Sequence, residues 1–191
     1  MKIGILALQG SVEEHARSLA RLGVDVVLVR KAEELADLDG LVLPGGESTT
    51  LGKLMRIYGI DAAIKERVAT GMALYGTCAG MILMAKEISG GERPHLDLMD
   101  VTVTRNASGR QVDSYEIDLP VPVLGDEPFR AIFIRAPYVD RVGSDVEVLA
   151  TTQGTPVFAR QGKLLVSSFH PELTADNRVH GYFLEMVKET V

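Results

Sequence analysis

The sequence predicts a single-domain α/β fold, a doubly wound mixed sheet with helices on both faces, from three observations. Apolar strand runs alternate with helical periodicity over residues 2–43, and this βαβαβ pattern builds a parallel sheet. A second apolar run meets a new helical pattern at Gly76-Thr77-Cys78-Ala79-Gly80, which suits a sharp strand-to-helix turn. A last strand-like run over 163–167 brings the chain back to the core just before Ser168-Phe-His-Pro-Glu172. At 191 residues and 46% hydrophobic, the chain is long enough for one well-buried core and short for two, so residues 1–191 are expected to form one domain.

Residues 2–8 read as a buried strand closed by Gln9-Gly10. Ser11 with Glu14 three positions later forms a capping-box signature for the first helix, with Val12, Ala16, Leu19 and Leu22 inward and Gly23 as its stop. The β-branched run 25–29 is the second strand. Residues 32–38 suit a short helix with Leu35 and Leu38 inward, and 40–43 are the third strand. Sites in such sheets form outside the carboxyl ends of strands, so the loops after residues 8, 43 and 76 are expected on one edge.

Helical segments over 51–58 and 61–68 are broken at Gly59, and Gly71 precedes the strand leading to Cys78. The next helix is expected from Ala79 to about Ile88, followed by a loop over 89–94. From there strand-like runs dominate: 101–104, 112–119, 131–134, 146–151, 155–160 and 163–167, separated by turn signals at Ser108-Gly109, Gly125-Asp126 and Gln161-Gly162. They read as a partly antiparallel extension of the sheet plus the returning strand. A final helix from about residue 175 places Val179, Phe183, Met186 and Val187 toward the core.

Composition narrows the function. A net charge of −6 without a Lys/Arg cluster lacks the footprint of a nucleic-acid binder, and it suits an acidic membrane surface no better. One cysteine excludes an internal disulfide, and the Cys/His spacing offers no zinc set, so no metal and no cofactor are expected. The apolar stretch 3–8 is followed by Glu13 and Glu14, which fits a strand better than a secretory segment, and no run approaches the ~18 apolar residues of a membrane span. The expectation is a soluble cytoplasmic protein.

A lone cysteine is more often a small buried hydrophobe than a nucleophile. Here the flanking glycines let the backbone fold tightly and leave Cys78 exposed at the sheet edge, while the following helix aims its N-terminal amides at the sulfur. His170 ends an apolar run and Glu172 follows two positions later, which completes a candidate triad. His170 takes the thiol proton, Glu172 orients the imidazole, and Cys78 attacks a carbonyl. Pro44-Gly45-Gly46-Glu47-Ser48-Thr49-Thr50 offers backbone amides to a developing oxyanion, with Ser48 or Thr49 as helix cap. The amides of Gly46 and Ala79 would form the oxyanion hole. A phosphate loop fails here, because Gly46 to Gly52-Lys53 is one residue too long and Leu54 stands where a Ser or Thr is needed. His15, His95 and His180 are expected in surface or packing roles. These residues alone leave amidase, thioesterase and peptidase open.

The elbow, the His-Pro-Glu ending and the Pro-Gly-Gly loop resemble class I glutamine amidotransferases, which have a flavodoxin-like sheet. Leu6-Ala-Leu-Gln-Gly10, Leu43-Pro-Gly-Gly-Glu-Ser-Thr-Thr50, Val103-Thr-Arg-Asn106, Gly109-Arg-Gln-Val-Asp-Ser-Tyr115 and Phe133-Ile-Arg-Ala-Pro137 resemble, more closely, the glutaminase subunits of pyridoxal 5′-phosphate synthases. The resemblance covers essentially the whole chain. It implies hydrolysis of L-glutamine to L-glutamate and ammonia through a Cys-His-Glu triad and a cysteinyl thioester. The ammonia would pass to a (β/α)8-barrel synthase subunit that builds the product from ribose 5-phosphate and glyceraldehyde 3-phosphate, with many glutaminase chains on a dodecameric synthase core. Residue by residue, it puts glutamine contacts at Gly46, Glu47, Ser48, Arg105, Ile134 and Arg135. A cysteine hydrolase or glyoxalase-like protein would keep the elbow without needing the terminal His-x-Glu, and a binding module would not need Cys78 at all.

Overall fold

The structure is a computed structural model that describes residues 1–105 and 114–189. The predicted turn at Ser108-Gly109, the first two residues of the predicted 112–119 strand and part of two family-like motifs lie outside them. The central sheet has seven strands. Five are parallel: β1 (Lys2–Leu6), β2 (Asp25–Val29), β3 (Gly40–Leu43), β4 (Ala73–Thr77) and β12 (Leu164–Ser167). At one edge β10 (Glu147–Thr152) and β11 (Thr155–Gln161) continue the sheet antiparallel, giving the order β10-β11-β12-β4-β3-β1-β2. The chain therefore winds outward from β1 in both directions, and a crevice opens where the loops after β1 and β3 diverge.

The central strands are apolar without alternation because both of their faces are covered. On one face Ile3, Ile5, Val42, Tyr75 and Leu165 pack against α1 (Val12–Arg21) and α5 (Arg178–Lys188) through Leu19, Val179 and Phe183. On the other, Leu41, Leu43, Leu74 and Val166 pack against α2 (Ser48–Ile57), α3 (Ile60–Ala69) and α4 (Ala79–Met84) through Leu51, Met55, Ile64 and Met81. Each fully buried Leu, Ile or Phe in these layers contributes roughly 1.5–3 kcal/mol. Register fixes the site: Leu43 lies opposite Gly76, and Ser167 opposite Thr77, so the loops that follow these strands leave the sheet at one level.

Several expectations are corrected. The helix after Cys78 ends at Met84, not near Ile88, because Ala85 turns extended and β5 (Ala85–Ile88) pairs in parallel with β6 (Met99–Thr104). The region after residue 99 does not all extend the main sheet. β5, β6 and β9 (Tyr138–Val142) form a three-stranded sheet whose Ile88, Val101, Val103 and Val139 join the α2–α4 layer. β7 (Ser114–Leu119) and β8 (Phe129–Ile134) form a hairpin whose Leu119, Phe129 and Phe133 join the α1–α5 layer. Strand β9 escapes the sequence reading because Asp140 and Arg141 are exposed and dilute its apolar signal. Residues 32–35 form only a 3-10 turn, although Leu35 and Leu38 are buried as expected. Leu22, beyond the end of α1, faces solvent, and the inward face of that helix holds His15 and Ser18 beside Leu19.

Candidate active site

Four loops at the carboxyl ends of β1, β3, β4 and β12 converge at the crevice. The last residue of β4 leads into Cys78, whose φ of 51° and ψ of −104° put a non-glycine residue in strained backbone geometry. The flanking glycines make this turn possible. A Cβ on Gly76 would stand 2.5 Å from the Gly80 carbonyl carbon, and one on Gly80 would stand 2.1 Å from the Leu43 carbonyl oxygen. Backbone thus packs on backbone beneath the sulfur, and Cys78 is left half-buried with its thiol 3.9 Å from the Ile134 carbonyl oxygen.

After β12, the His170 amide donates to the Ile132 carbonyl at 2.8 Å, which fixes the base to the neighbouring hairpin. The His170 side chain meets Glu172 at Nδ1 to Oε1, 2.7 Å. Burial opposes a charged imidazole, but hydrogen bonding and charge from Cys78 and Glu172 outweigh it and push His170 up to about 10. Burial likewise opposes an ionised Glu172. In the acid range where Glu172 would take up a proton, the charges of His15 and His170, with hydrogen bonds from His170 and Ser11, override it and hold the carboxyl down at about 2. With Glu172 ionised, Nδ1 is the donor and Nε2 is left for chemistry. Gly45 closes against this pair: a Cβ there would lie 2.6 Å from His170 Cε1 and 3.6 Å from Cys78 Cβ.

A cavity of about 310 Å3 opens over the sulfur, at the small end of the ligand-site range. Its walls bring together Cys78, His170 and Ala79 with every glutamine-contact candidate: Gly46, Glu47, Ser48, Arg105, Ile134 and Arg135. Glu172 is not among the lining residues; it stands behind His170 with no exposed side-chain surface. Among the described residues no group of three or more His, Cys, Asp or Glu is placed to hold a metal ion, and no helix is long and apolar enough to cross a membrane.

The polar groups of the cavity are already organised. Glu47, not Ser48 or Thr49, caps α2, accepting from the amides of Thr49 and Thr50 at 3.0 and 2.8 Å. Hydrogen bonding from Thr50 is the main reason that Glu47 is held near 2. Arg105 donates to Thr49 Oγ1 and Glu92 at 2.8 Å and to Glu47 at 3.1 Å. Arg135 has no carboxylate partner among the described residues and adopts a positive φ of 42°. The Gly45 carbonyl accepts from the Ser11 amide at 3.1 Å, and no peptide among the described residues is cis, so the Gly46 N–H points away from Ser11. Gln9 Oε1 accepts from the Glu47 amide at 2.9 Å, which joins the loops after β1 and β3.

Sequence reasoning missed the groups behind the triad candidates. Among the described residues Ser11 caps no helix amide with its hydroxyl, which donates instead to Glu172 at 2.8 Å. His15 and His180 are fully buried beside it. Ser11, His15 and Ser18 lie at three- and four-residue spacing, a polar stripe on the inward face of α1 that was legible as an anomaly. His95 packs over Gly52, where a Cβ would stand 2.0 Å from its Nδ1.

Known proteins show the family and the fold. The SNO glutamine amidotransferase family matches residues 5–189. The pyridoxal 5′-phosphate synthase subunit PdxT of Niallia circulans is 57% identical over 99% of each chain. That of Carboxydothermus hydrogenoformans is 52% identical over 98% of each. A solved glutamine amidotransferase superposes with a TM-score of 0.92 at 54% identity, covering 97% of this chain and 98% of its own.

Proposed function

The chain belongs to the SNO glutamine amidotransferase family, and from that premise we propose that it is the glutaminase of a pyridoxal 5′-phosphate synthase, acting through Cys78, His170 and Glu172. The observation that carries this reading is the convergence of Cys78 and a 2.7 Å His170–Glu172 pair on one 310 Å3 cavity with both arginines. Glutamine enters with its side-chain amide over the sulfur. Its α-carboxylate meets the guanidinium of Arg105 or Arg135, and its α-ammonium meets Glu47 or the Ile134 carbonyl, with Ser48 and Gly46 at the wall.

Cys78 attacks the amide carbon as a thiolate whose proton His170 has taken, and the C–N bond breaks as that proton passes to the departing nitrogen. The negative oxygen of the tetrahedral intermediate is met by the amides of Ala79, at the start of α4, and of Gly46. Ammonia leaves, and a cysteinyl thioester remains. Water, losing a proton to His170, then opens the thioester to glutamate and restores the thiol. Glu172 stays ionised and keeps Nδ1–H oriented throughout.

The 191 residues act as one glutaminase domain in the cytoplasm, and the ammonia is used by a separate (β/α)8-barrel synthase subunit, with glutaminase chains arrayed on a dodecameric core. Similarity at 57% and 52% identity over 99% and 98% of the chain to subunits named for that synthase supports the pairing. A glutamine-mimicking diazoketone tests the site: mass spectrometry is expected to find it on Cys78, and Cys78→Ala is expected to fold and release no glutamate. Labelling elsewhere, or glutamate release by folded Cys78→Ala, would overturn the assignment.

A further inference from the structure

Behind His170 lies a buried polar cluster that the hydrolysis above does not use. Glu172 Oε1 already serves His170 Nδ1 at 2.7 Å and Ser11 Oγ at 2.8 Å. Oε2 has no hydrogen-bond partner among the described residues, yet His15 Nε2 stands 3.6 Å from it. The same Nε2 lies 3.1 Å from Thr77 Oγ1, and His15 Nδ1 lies 2.9 Å from His180 Nε2. Burial lowers both imidazoles, His180 to about 3, so both are neutral near pH 7.

A neutral imidazole carries one N–H, which leaves two arrangements for the pair. If His15 Nδ1–H donates to His180, then His180 Nδ1–H is a buried donor without an acceptor, and the His15 Nε2 lone pair faces a carboxylate oxygen. If instead His180 Nε2–H donates to His15 Nδ1, the unpartnered His180 Nδ1 is a bare lone pair, and His15 Nε2–H is directed toward Thr77 Oγ1 and Glu172 Oε2. His180 Nδ1 is unpartnered in either arrangement, and the second is favoured because it turns an N–H, not a lone pair, toward the Glu172 carboxylate. Two donors meet Oε1 and His15 Nε2–H faces Oε2 across 3.6 Å, so turning the carboxylate away from His170 would give up the Ser11 bond and bring Oε2 no donor in exchange. Ser11 also donates its amide to Gly45, so one residue ties the loop that carries Gly46 to the carboxylate behind the base.

We propose that Ser11 and His15 are positioning residues for the hydrolysis: the Ser11 hydroxyl holds Glu172 Oε1 where it accepts His170 Nδ1–H, His15 Nε2–H faces Oε2 electrostatically from 3.6 Å, and His180 sets the His15 tautomer. This rests on the reading of Cys78, His170 and Glu172 as the triad. The test pairs glutaminase kinetics with proton–nitrogen NMR of the His170 ring in the full chain, for Ser11→Ala, Ser11→Thr and His15→Phe. Ser11→Ala is expected to lose roughly ten- to a hundredfold in kcat with little change in KM, by analogy with the loss when a hydrogen-bonded partner behind a metal ligand is removed. Its His170 ring should titrate at lower pH than the parent's, and Ser11→Thr, which restores the hydroxyl, should recover both properties. His15→Phe is expected to move the His170 titration in the same direction. A folded Ser11→Ala chain with parental kcat and parental His170 titration overturns the proposal, whether or not His15→Phe folds. If the parent releases no glutamate under any condition, the glutaminase reading fails instead, and the ring titration still decides whether Ser11 and His15 hold Glu172.

Discussion

His170 and Glu172 displace each other's ionisation in opposite directions, and this has a measurable pH signature. His170 is raised from 6.5 to about 10, so its stabilising contribution is complete below 6.5 and is lost as pH rises through 10. Glu172 is lowered from 4.5 to about 2, so its contribution is complete above 4.5 and is lost as pH falls through 2. Both are complete only between 4.5 and 6.5. The deficit in thermal midpoint of Glu172→Gln against the parent is therefore expected to be greatest in that window and to narrow toward both extremes. For turnover, His170→Asn is expected to lose on the order of 10²- to 10⁴-fold, because the proton carrier is gone. Glu172→Gln keeps a hydrogen-bonding partner and should lose less; the reverse order would reject the assigned roles. Arg105→Ala or Arg135→Ala should act mainly on KM, since a carboxylate clamp contributes to ground state and transition state alike. Lysine at either position should only partly substitute, because it cannot form a bidentate pair. An unchanged KM in both alanine variants would remove them from the substrate site.

At the scale of elements, the elbow is a compromise between β4 and α4. The strand end must deliver Cys78 at positive φ while the helix start passes directly over the Leu43 carbonyl, and only the absence of a side chain at residue 80 permits that approach. An alanine at Cys78 inherits the strained φ of 51°, so it fills the elbow but does not relax it. The contact 2.1 Å from Leu43 oxygen is with backbone and cannot be relieved by a rotamer change. Gly80→Ala is expected to destabilise by more than about 2 kcal/mol, in the upper part of the range for overpacked interiors. Chemical denaturation checks this, and a midpoint equal to the parent's would show that β3 and α4 can separate freely.

Considered as a whole molecule, the chain places residues 9–11 against both halves of the proposed machinery. Gln9 accepts from the Glu47 amide, and Ser11 reaches Gly45 through its amide and Glu172 through its hydroxyl. A synthase subunit docking on this edge would act on the Gly46 amide through these contacts. The isolated chain is therefore expected to be a poor glutaminase. Adding the synthase subunit should raise glutamate release by roughly 10²- to 10³-fold, the size of an oxyanion-hole donor. Turnover measured with and without that subunit decides the matter, and equal rates would eliminate the switch.

The sequence by itself determined the parallel core, the strand-to-helix elbow and the glycine turn after the third strand, whereas Arg105, Ile134 and Arg135 were named only through the family resemblance. Each of the first three depends on local signals: continuous apolar runs for β3 and β4, glycines flanking Cys78, and Gly45-Gly46 after a strand. The tertiary structure alone decided where equally apolar strands pair. Residues 85–88 read as helix, and 99–142 as sheet extension, because periodicity reports which residues are buried and not which layer buries them. It also decided what Ser11, His15 and Glu47 do. Ser11 and Glu14 have the spacing of a capping box, yet the Ser11 hydroxyl turns to a carboxylate 161 positions away. Glu47 takes the cap of α2 that the sequence assigns to Ser48 or Thr49. A hydroxyl or carboxylate bonds whatever partner stands within reach in three dimensions, and distance along the chain carries no record of that.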